Sequence, residues 1–259
     1  MSPSDLAPDR RERVVQEVRE RGTVRVRDLS DKLGVSLMTV RRDIEQLARE
    51  GLIERVHGGA RVRGGRVAAE PSPEEKLLRN AGAKREIAAL AASQIEPGEV
   101  VGIGAGTTTL AFARALIGVP DLTVMTNSVP VAEEFWRASD ARVILSGGES
   151  TRSRALVGPI ALGSLERLHL DVVVLGAHGV DIDAGCTSPN LLEAQVNQQL
   201  LERASRSMVL ADAEKWGVVG LTTFVDMGSL DALVSDAALP ERARSALAES
   251  GVDVLVSER

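Results

Sequence analysis

The stretch from Thr23 to Ala60, TVRVRDLSDKLGVSLMTVRRDIEQLAREGLIERVHGGA, leaves few folds open to the chain that carries it. Leu29 and Leu33 are four residues apart, so Asp28 to Leu33 reads as a short amphipathic helix. Gly34 breaks it, and Val35 lies in the turn. Ser36 suits an N-cap, because its hydroxyl can accept from the orphan N–H groups of the next turn. Met38 to Glu50 is predicted to be helical, with Val40, Ile44 and Leu47 on its buried side and Gly51 ending it. Thr39, Arg41, Arg42 and Gln46 fall outside that stripe. A short helix, a glycine turn and a second helix bearing arginines make a helix-turn-helix. Its second helix enters the DNA major groove N-terminus first. Arginine serves there either bidentate to guanine or paired with phosphate.

Leu52 to Val56 follows as a strand-like run, His57-Gly58-Gly59 as a tight turn, and Ala60 to Arg63 as the return. That predicts a two-stranded wing, with Arg55, Arg61 and Arg63 facing the sugar-phosphate backbone. The expected DNA-contacting residues are Ser36, Thr39, Arg41, Arg42, Arg55, His57, Gly58 and Arg61. The pattern VS–x–x–TVRRDI–x–x–L–x–x–EGLIERVHGGA resembles the winged helix-turn-helix of DeoR-type bacterial transcriptional repressors. The competing reading is a small helical domain with a solvated charged face.

At 259 residues the chain suits two domains, and 44% apolar content supplies a sizeable core. Only 2% is aromatic, so that core must be Val, Leu, Ile and Ala. No run of eighteen apolar residues is present, and MSPSDLAPDRRER lacks an apolar signal region, so a cytoplasmic protein without a membrane contact is expected. The one cysteine, Cys186, gives neither an intrachain disulfide nor metal-ligand spacing, and no cofactor is expected. Charge is unevenly spread. Residues 1–66 hold 15 Lys and Arg against 11 Asp and Glu, a net +4, and the remainder holds 16 against 26, a net −10. A basic head on an acidic body confines nucleic-acid contact to one end.

Asp9 to Arg21 is predicted as the first helix, with Val14, Val15 and Val18 as its apolar face, and Val24 and Val26 as a short strand edge. The expected division is a winged helix-turn-helix domain over residues 1–63, a linker over 64–73 and an α/β domain over 74–259. In the last of these, short β-branched runs alternate with helical ones: VVGI at 100–103, 122–125, 143–145, LDVVVL at 170–175, 208–210, 230–234 and 252–256. Such alternation predicts an open, mostly parallel α/β sheet with helices on both faces.

Ligands in such sheets sit beyond the C-terminal strand ends. The first strand ends in Gly104-Ala105-Gly106-Thr107-Thr108-Thr109. Glycines there allow close backbone approach, and a helix N-terminus with hydroxyls favours an anion, most naturally phosphate. The alternative is a tight βα turn with threonine caps. The next ends carry Thr126-Asn127-Ser128, then Ser146-Gly147-Gly148-Glu149 with Arg152 and Arg154 close behind, then Gly176 to Asp181, then Ala211 to Gly217 with Lys215. His178 reads either as an acid/base group or as a loop histidine.

GAGTTT, TNS, LVGP, LDVVVLGAHGVD and LADAEKWG also resemble the DeoR-type C-terminal sensor domain, which is related to ribose-5-phosphate isomerases and CoA transferases. The resemblance runs from residue 10 to Asp236. It implies that Gly104, Ala105, Gly106, Thr107 and Thr108, with Gly147 and Gly148 nearby, hold the phosphate of a sugar-phosphate effector. It implies further that Asn127, Asp181, Glu193 and Lys215 contact the sugar or its phosphate. The function expected is a repressor of a sugar or related carbon-metabolism operon, binding double-stranded operator DNA as a homodimer or homotetramer. The rival is a sugar-phosphate isomerase-like enzyme with an appended DNA-binding head, in which Asp181, Glu193 and Lys215 would form the proton-moving set.

Overall fold

The computed structural model describes residues 7–21, 23–50, 52–56, 58–61 and 79–258. Gly51, His57, Arg63 and the expected linker lie outside the described residues. The chain divides into two units, Met1–Arg66 and Val67–Arg259.

In the first unit, α1 (Ala7–Arg21), β1 (Thr23–Arg25), α2 (Val26–Leu33), α3 (Leu37–Arg49), β2 (Glu54–Val56) and β3 (Gly59–Arg61) follow in order. Its core is wholly aliphatic: Val14 and Val18 of α1, Leu29 and Leu33 of α2, Val40, Ile44 and Leu47 of α3, and Ile53. Gly34 closes α2 at φ 68°, the left-handed conformation that glycine adopts without steric cost. Ser36 caps α3 by accepting from the Thr39 N–H at 3.2 Å. Asp43 is buried on α3, where Arg10 grips it with two hydrogen bonds of 2.6 and 3.2 Å.

The wing departs from expectation. Its sheet has three strands in the order β1-β3-β2, with β3 in the middle. Thr23 and Glu54 both pair with Arg61, from opposite sides. Gly59 makes this possible, since a Cβ there would meet the Val24 carbonyl oxygen at 2.0 Å. Val26 belongs to no strand edge. It opens α2, with its side chain buried and its N–H bonded to the Gly58 carbonyl at 2.9 Å.

The second unit contains α4 (Ala81–Ala92), β4 (Val100–Ile103), α5 (Thr107–Ala115), β5 (Thr123–Thr126), α6 (Val129–Ala138), β6 (Arg142–Leu145), β7 (Glu149–Ser150), β8 (Leu156–Val157), α7 (Pro159–Leu165) and β9 (Leu170–Gly176). It continues with β10 (Gly179–Asp181), β11 (Gly185–Ser188), α8 (Leu191–Glu202), β12 (Ala204–Leu210), β13 (Thr222–Val225), β14 (Ala232–Ser235), α9 (Glu241–Glu249) and β15 (Asp253–Val256). Seven strands form one sheet in the order β15-β14-β12-β9-β4-β5-β6, and every pairing in it is parallel.

The period-2 alternation of strands divides the core in two. Val101, Ile103, Val172, Val174, Met208 and Val234 face α4, α5 and α6, together with Ile87, Phe112 and Phe135. Val173, Leu175, Val209 and Leu233 face α7, α8 and α9, with Leu165, Leu200 and Leu247.

Two small antiparallel sheets, β10-β11-β13 and β7-β8, were not expected from the sequence. Their strands are two to four residues long, and the β11–β13 register slips between Cys186 and Thr187. Pieces so short cannot display a period.

Cys186 sits on β11 with none of its surface exposed, and burial pushes its thiol up to about 12. The thiolate is the reactive form. The native protein at pH 8 should therefore resist an aromatic disulfide reagent and react with one equivalent only on unfolding. Rapid stoichiometric labelling of the native chain would contradict this burial.

Candidate functional site

The candidate recognition surface of the first unit grows from the spacing of α3. Met38, Arg41, Arg42 and Glu45 stand at i, i+3, i+4 and i+7 and so share one face. Val40, Ile44 and Leu47 occupy the other. All four residues of the outer face are exposed. With Arg55, Gly58 and Gly59 of the wing they line one concave surface. Arg55 reaches across it to Glu45 at 2.9 Å. That ion pair is exposed at both ends and holds the wing arginine only weakly, by about 0–1 kcal/mol. Ser36 and Thr39 are occupied with each other, their hydroxyls 2.9 Å apart at the helix start. Arg61 contributes the central wing strand through its backbone, and His57 lies outside the described residues.

The second site lies at the topological reversal of the large sheet. From β4 the chain proceeds to β5 and β6 on one side, and β9 and β12 flank β4 on the other. Loops leaving β4 and β9 therefore part in opposite directions and leave a crevice beyond their C-terminal ends. A cavity of about 470 Å³ occupies it. Ala105, Gly106, Thr107 and Thr108 form one wall. Gly106 has φ 156° and ψ 165°, a region open in practice to glycine alone. Its carbonyl accepts from the Thr109 hydroxyl at 3.1 Å. The first turn of α5 thus presents its free N–H groups and the positive end of its dipole to the cavity.

Glu193 and Lys215 line the same cavity. One Glu193 carboxylate oxygen accepts from Thr151 at 2.7 Å and from Ser153 at 2.5 Å. It thereby fastens the β7–β8 loop, with its Arg152 and Arg154, beside the cavity. Lys215 ends a single 3-10 turn, Ala213–Lys215, capped by Asp212. His178 also reaches the wall, and its backbone N–H is bonded to the Thr187 carbonyl at 3.0 Å.

The remaining residues expected at the site fall outside this wall. Gly104 serves strand packing, since a Cβ there would meet Leu175 at 2.6 Å. Asn127 is 1% exposed and donates to the Leu156 carbonyl at 3.2 Å, while its side-chain oxygen has no partner among the described residues. Gly147 and Gly148 turn the chain into the β7–β8 hairpin with φ of 72° and 113°. A Cβ on Gly148 would meet the Val157 carbonyl oxygen at 2.4 Å. Asp181 caps the β10–β11 turn, accepting from Asp183 and Ala184 N–H at 3.0 Å each.

Sequence reasoning missed Lys84, Arg79 and Arg114 on the wall. Lys84 is 7% exposed and donates to the Arg79 carbonyl at 2.8 Å. It lies on α4, before the first strand, and only the packing of α4 on α5 carries it to the cavity. Arg114 is seven residues along from the Thr107 start of α5, hence on the same face of that helix, a signal that could have found it. Arg114 and Arg137 both bind Glu134, at 2.8 and 2.5 Å. The Arg114 hydrogen bond first, and then Arg137, hold the Glu134 carboxyl below its ordinary value against the opposing effect of burial. Six Lys or Arg and four Asp or Glu line the cavity, so its wall is net positive within a unit that is net negative.

The DeoR-like helix-turn-helix domain matches residues 10–64, and the DeoR C-terminal sensor domain matches residues 79–237. A putative aga operon transcriptional repressor of Escherichia coli O157:H7 is 33% identical across 96% of this chain and 93% of its own. The HTH-type transcriptional regulator GlpR of Haloferax volcanii is 36% identical across 96% of this chain and 98% of its own. Among solved structures, ribose 5-phosphate isomerase A of Methanocaldococcus jannaschii aligns at a TM-score of 0.41 with 17% identity, over 53% of this chain and 55% of that one.

Gly106→Ala should cost the second unit about 1–3 kcal/mol, because alanine is strained at this φ and ψ. Gly82→Ala is its control. Gly82 stands in α4 with open space around its would-be Cβ, so that change should stabilise by about 0.5–1 kcal/mol. Both tryptophans, Trp136 and Trp216, lie in this unit. Urea unfolding followed by tryptophan fluorescence reads it directly, and equal midpoints for the two variants would contradict the Gly106 geometry.

Proposed function

This chain belongs to the DeoR family of helix-turn-helix transcriptional regulators, and from that premise we propose that it represses a carbohydrate operon under the control of a phosphorylated sugar. One observation carries the proposal. The cavity at the sheet reversal joins a helix N-terminus to a net-positive wall, inside a unit whose own charge is −10. An anion is the ligand that such local sign reversal favours. A carbohydrate role is supported by a further relative, an L-fucose operon activator of Haemophilus influenzae that is 30% identical across 90% of this chain and 93% of its own.

Ala105, Gly106, Thr107 and Thr108 receive the phosphate, with Lys84 and Lys215 as balancing cations. Glu193 accepts sugar hydroxyls, the role it already plays toward Thr151 and Ser153. The cavity senses and does not convert its ligand. The isomerase reading needs paired carboxylates beside a lysine; Glu193 and Lys215 line the cavity, but Asp181, the second carboxylate of that set, is spent on a hairpin turn. Arg41 and Arg42 read the operator, and Arg55 meets its backbone. Paired half-sites require a homodimer or homotetramer, held by the acidic unit. Such a regulator works in the cytoplasm. Among the described residues no helix is long and apolar enough to cross a membrane.

Arg41→Ala or Arg42→Ala should weaken operator binding by about 1–3 kcal/mol if that arginine reads a base. Unchanged gel-shift affinity in both would remove α3 from the groove. For the effector, a thermal-shift comparison pairs free sugars with their monophosphates. A monophosphate at about 100 times its dissociation constant should stabilise by about 2.7 kcal/mol, and the free sugar by less. Equal shifts would overturn the phosphate assignment, and turnover of ribose 5-phosphate would restore the enzyme reading.

A further inference from the structure

Met38 is 59% exposed, and every neighbour on its helix face is charged: Arg41, Arg42 and Glu45. The first turn of a helix favours acidic and small polar side chains, so a bare thioether there is the least expected occupant of this surface. Leu37 beside it is also exposed but does not line the concavity that Met38 shares with the three arginines.

Whatever covers this surface must satisfy several guanidinium groups and also offer one small apolar contact at the N-terminal end of α3. The major groove of duplex DNA meets both demands. Its phosphates and guanine acceptors suit arginine, and the C5-methyl of thymine is the one apolar group on its base edges. Because α3 enters N-terminus first, Met38 stands at its leading end. Methionine has an unbranched, polarizable side chain that adapts to such a contact.

We propose that Met38 is a specificity-determining residue that reads the C5-methyl of a thymine beside the base contacted by Arg41 or Arg42. The inference rests on the DNA-binding reading above and adds to it the chemistry of one base position.

The test uses the full chain and the tightest duplex recovered from a randomised-sequence pool. Each thymine is replaced in turn by deoxyuridine, which deletes only the methyl group. Wild-type protein should lose about fourfold in affinity at one thymine per half-site, the worth of one buried methyl. Met38→Gln should bind the thymine and deoxyuridine duplexes equally, and Met38→Leu should keep the difference. The proposal is overturned if no invariant thymine is recovered, if wild type binds all paired duplexes equally, or if Met38→Gln retains the methyl effect. Loss of the groove assignment itself has a separate signature, unchanged affinity in both Arg41→Ala and Arg42→Ala. If those variants weaken binding while deoxyuridine has no effect, only the Met38 reading fails.

Discussion

The parallel pairing of β4 with β9 is the contact on which the sensor unit depends. Val101 lies opposite Val172, and Ile103 opposite Val174, all four fully buried. Pairing β4 with a strand that follows it by some seventy residues of sequence puts the chain reversal in mid-sheet. The crevice at Gly106 and the cavity beyond it follow from that placement alone. Gly102 permits it, since a Cβ there would press on Leu170 at 2.7 Å. Burial on both faces explains why the strands read as continuous Val, Leu and Ile runs.

The first unit solves a different problem. A few dozen residues bury little surface, and their core holds no aromatic side chain among the described residues. A mostly buried ion pair, Arg10 with Asp43, ties α1 to the recognition helix. Pairs of this kind add little net stability over an apolar pair of the same size, but leaving one partner alone is costly. Asp43 thus contributes orientation, fixing which face of α3 turns outward. On that outer face no comparable lock exists among the described residues. Arg41 and Arg42 are exposed, and Arg55 is held by a single exposed partner. These side chains remain available for exchange onto phosphate or a base edge at small cost.

Both sites share one economy of charge. Three of the cations that line the cavity are held in position by carboxylates, Arg79 by Glu214, Arg114 by Glu134 and Arg154 by Glu133. Glu193 positions the β7–β8 loop by accepting two hydroxyl hydrogen bonds. A sugar ligand, as proposed above, offers the same donors. The loop that it holds carries Arg152 and Arg154 at the cavity wall.

Local periodicity alone determined most of the elements. The stripe Val40, Ile44, Leu47 defined α3, Ser36 its start, and the alternating apolar runs the strands of the large sheet, because each signal is carried by residues within one or two turns of one another. The outward placing of Arg41 and Arg42 and the position of loop 105–108 beyond a strand end were legible for the same reason. Only the tertiary structure decided the rest. The third wing strand needs Gly59 against Val24, the small sheet needs β13 against β11, and Lys84 reaches the cavity only through helix packing. Tertiary structure likewise took Asn127 away from the cavity wall, although it stands at a strand end in sequence. A strand end places a residue within a few ångströms of a crevice, but the direction of its side chain is settled by which distant backbone groups it must satisfy. Leu156, the partner of Asn127, is brought to it only once the chain has folded, whereas Asp181 is held by the N–H groups of Asp183 and Ala184, its near neighbours in sequence.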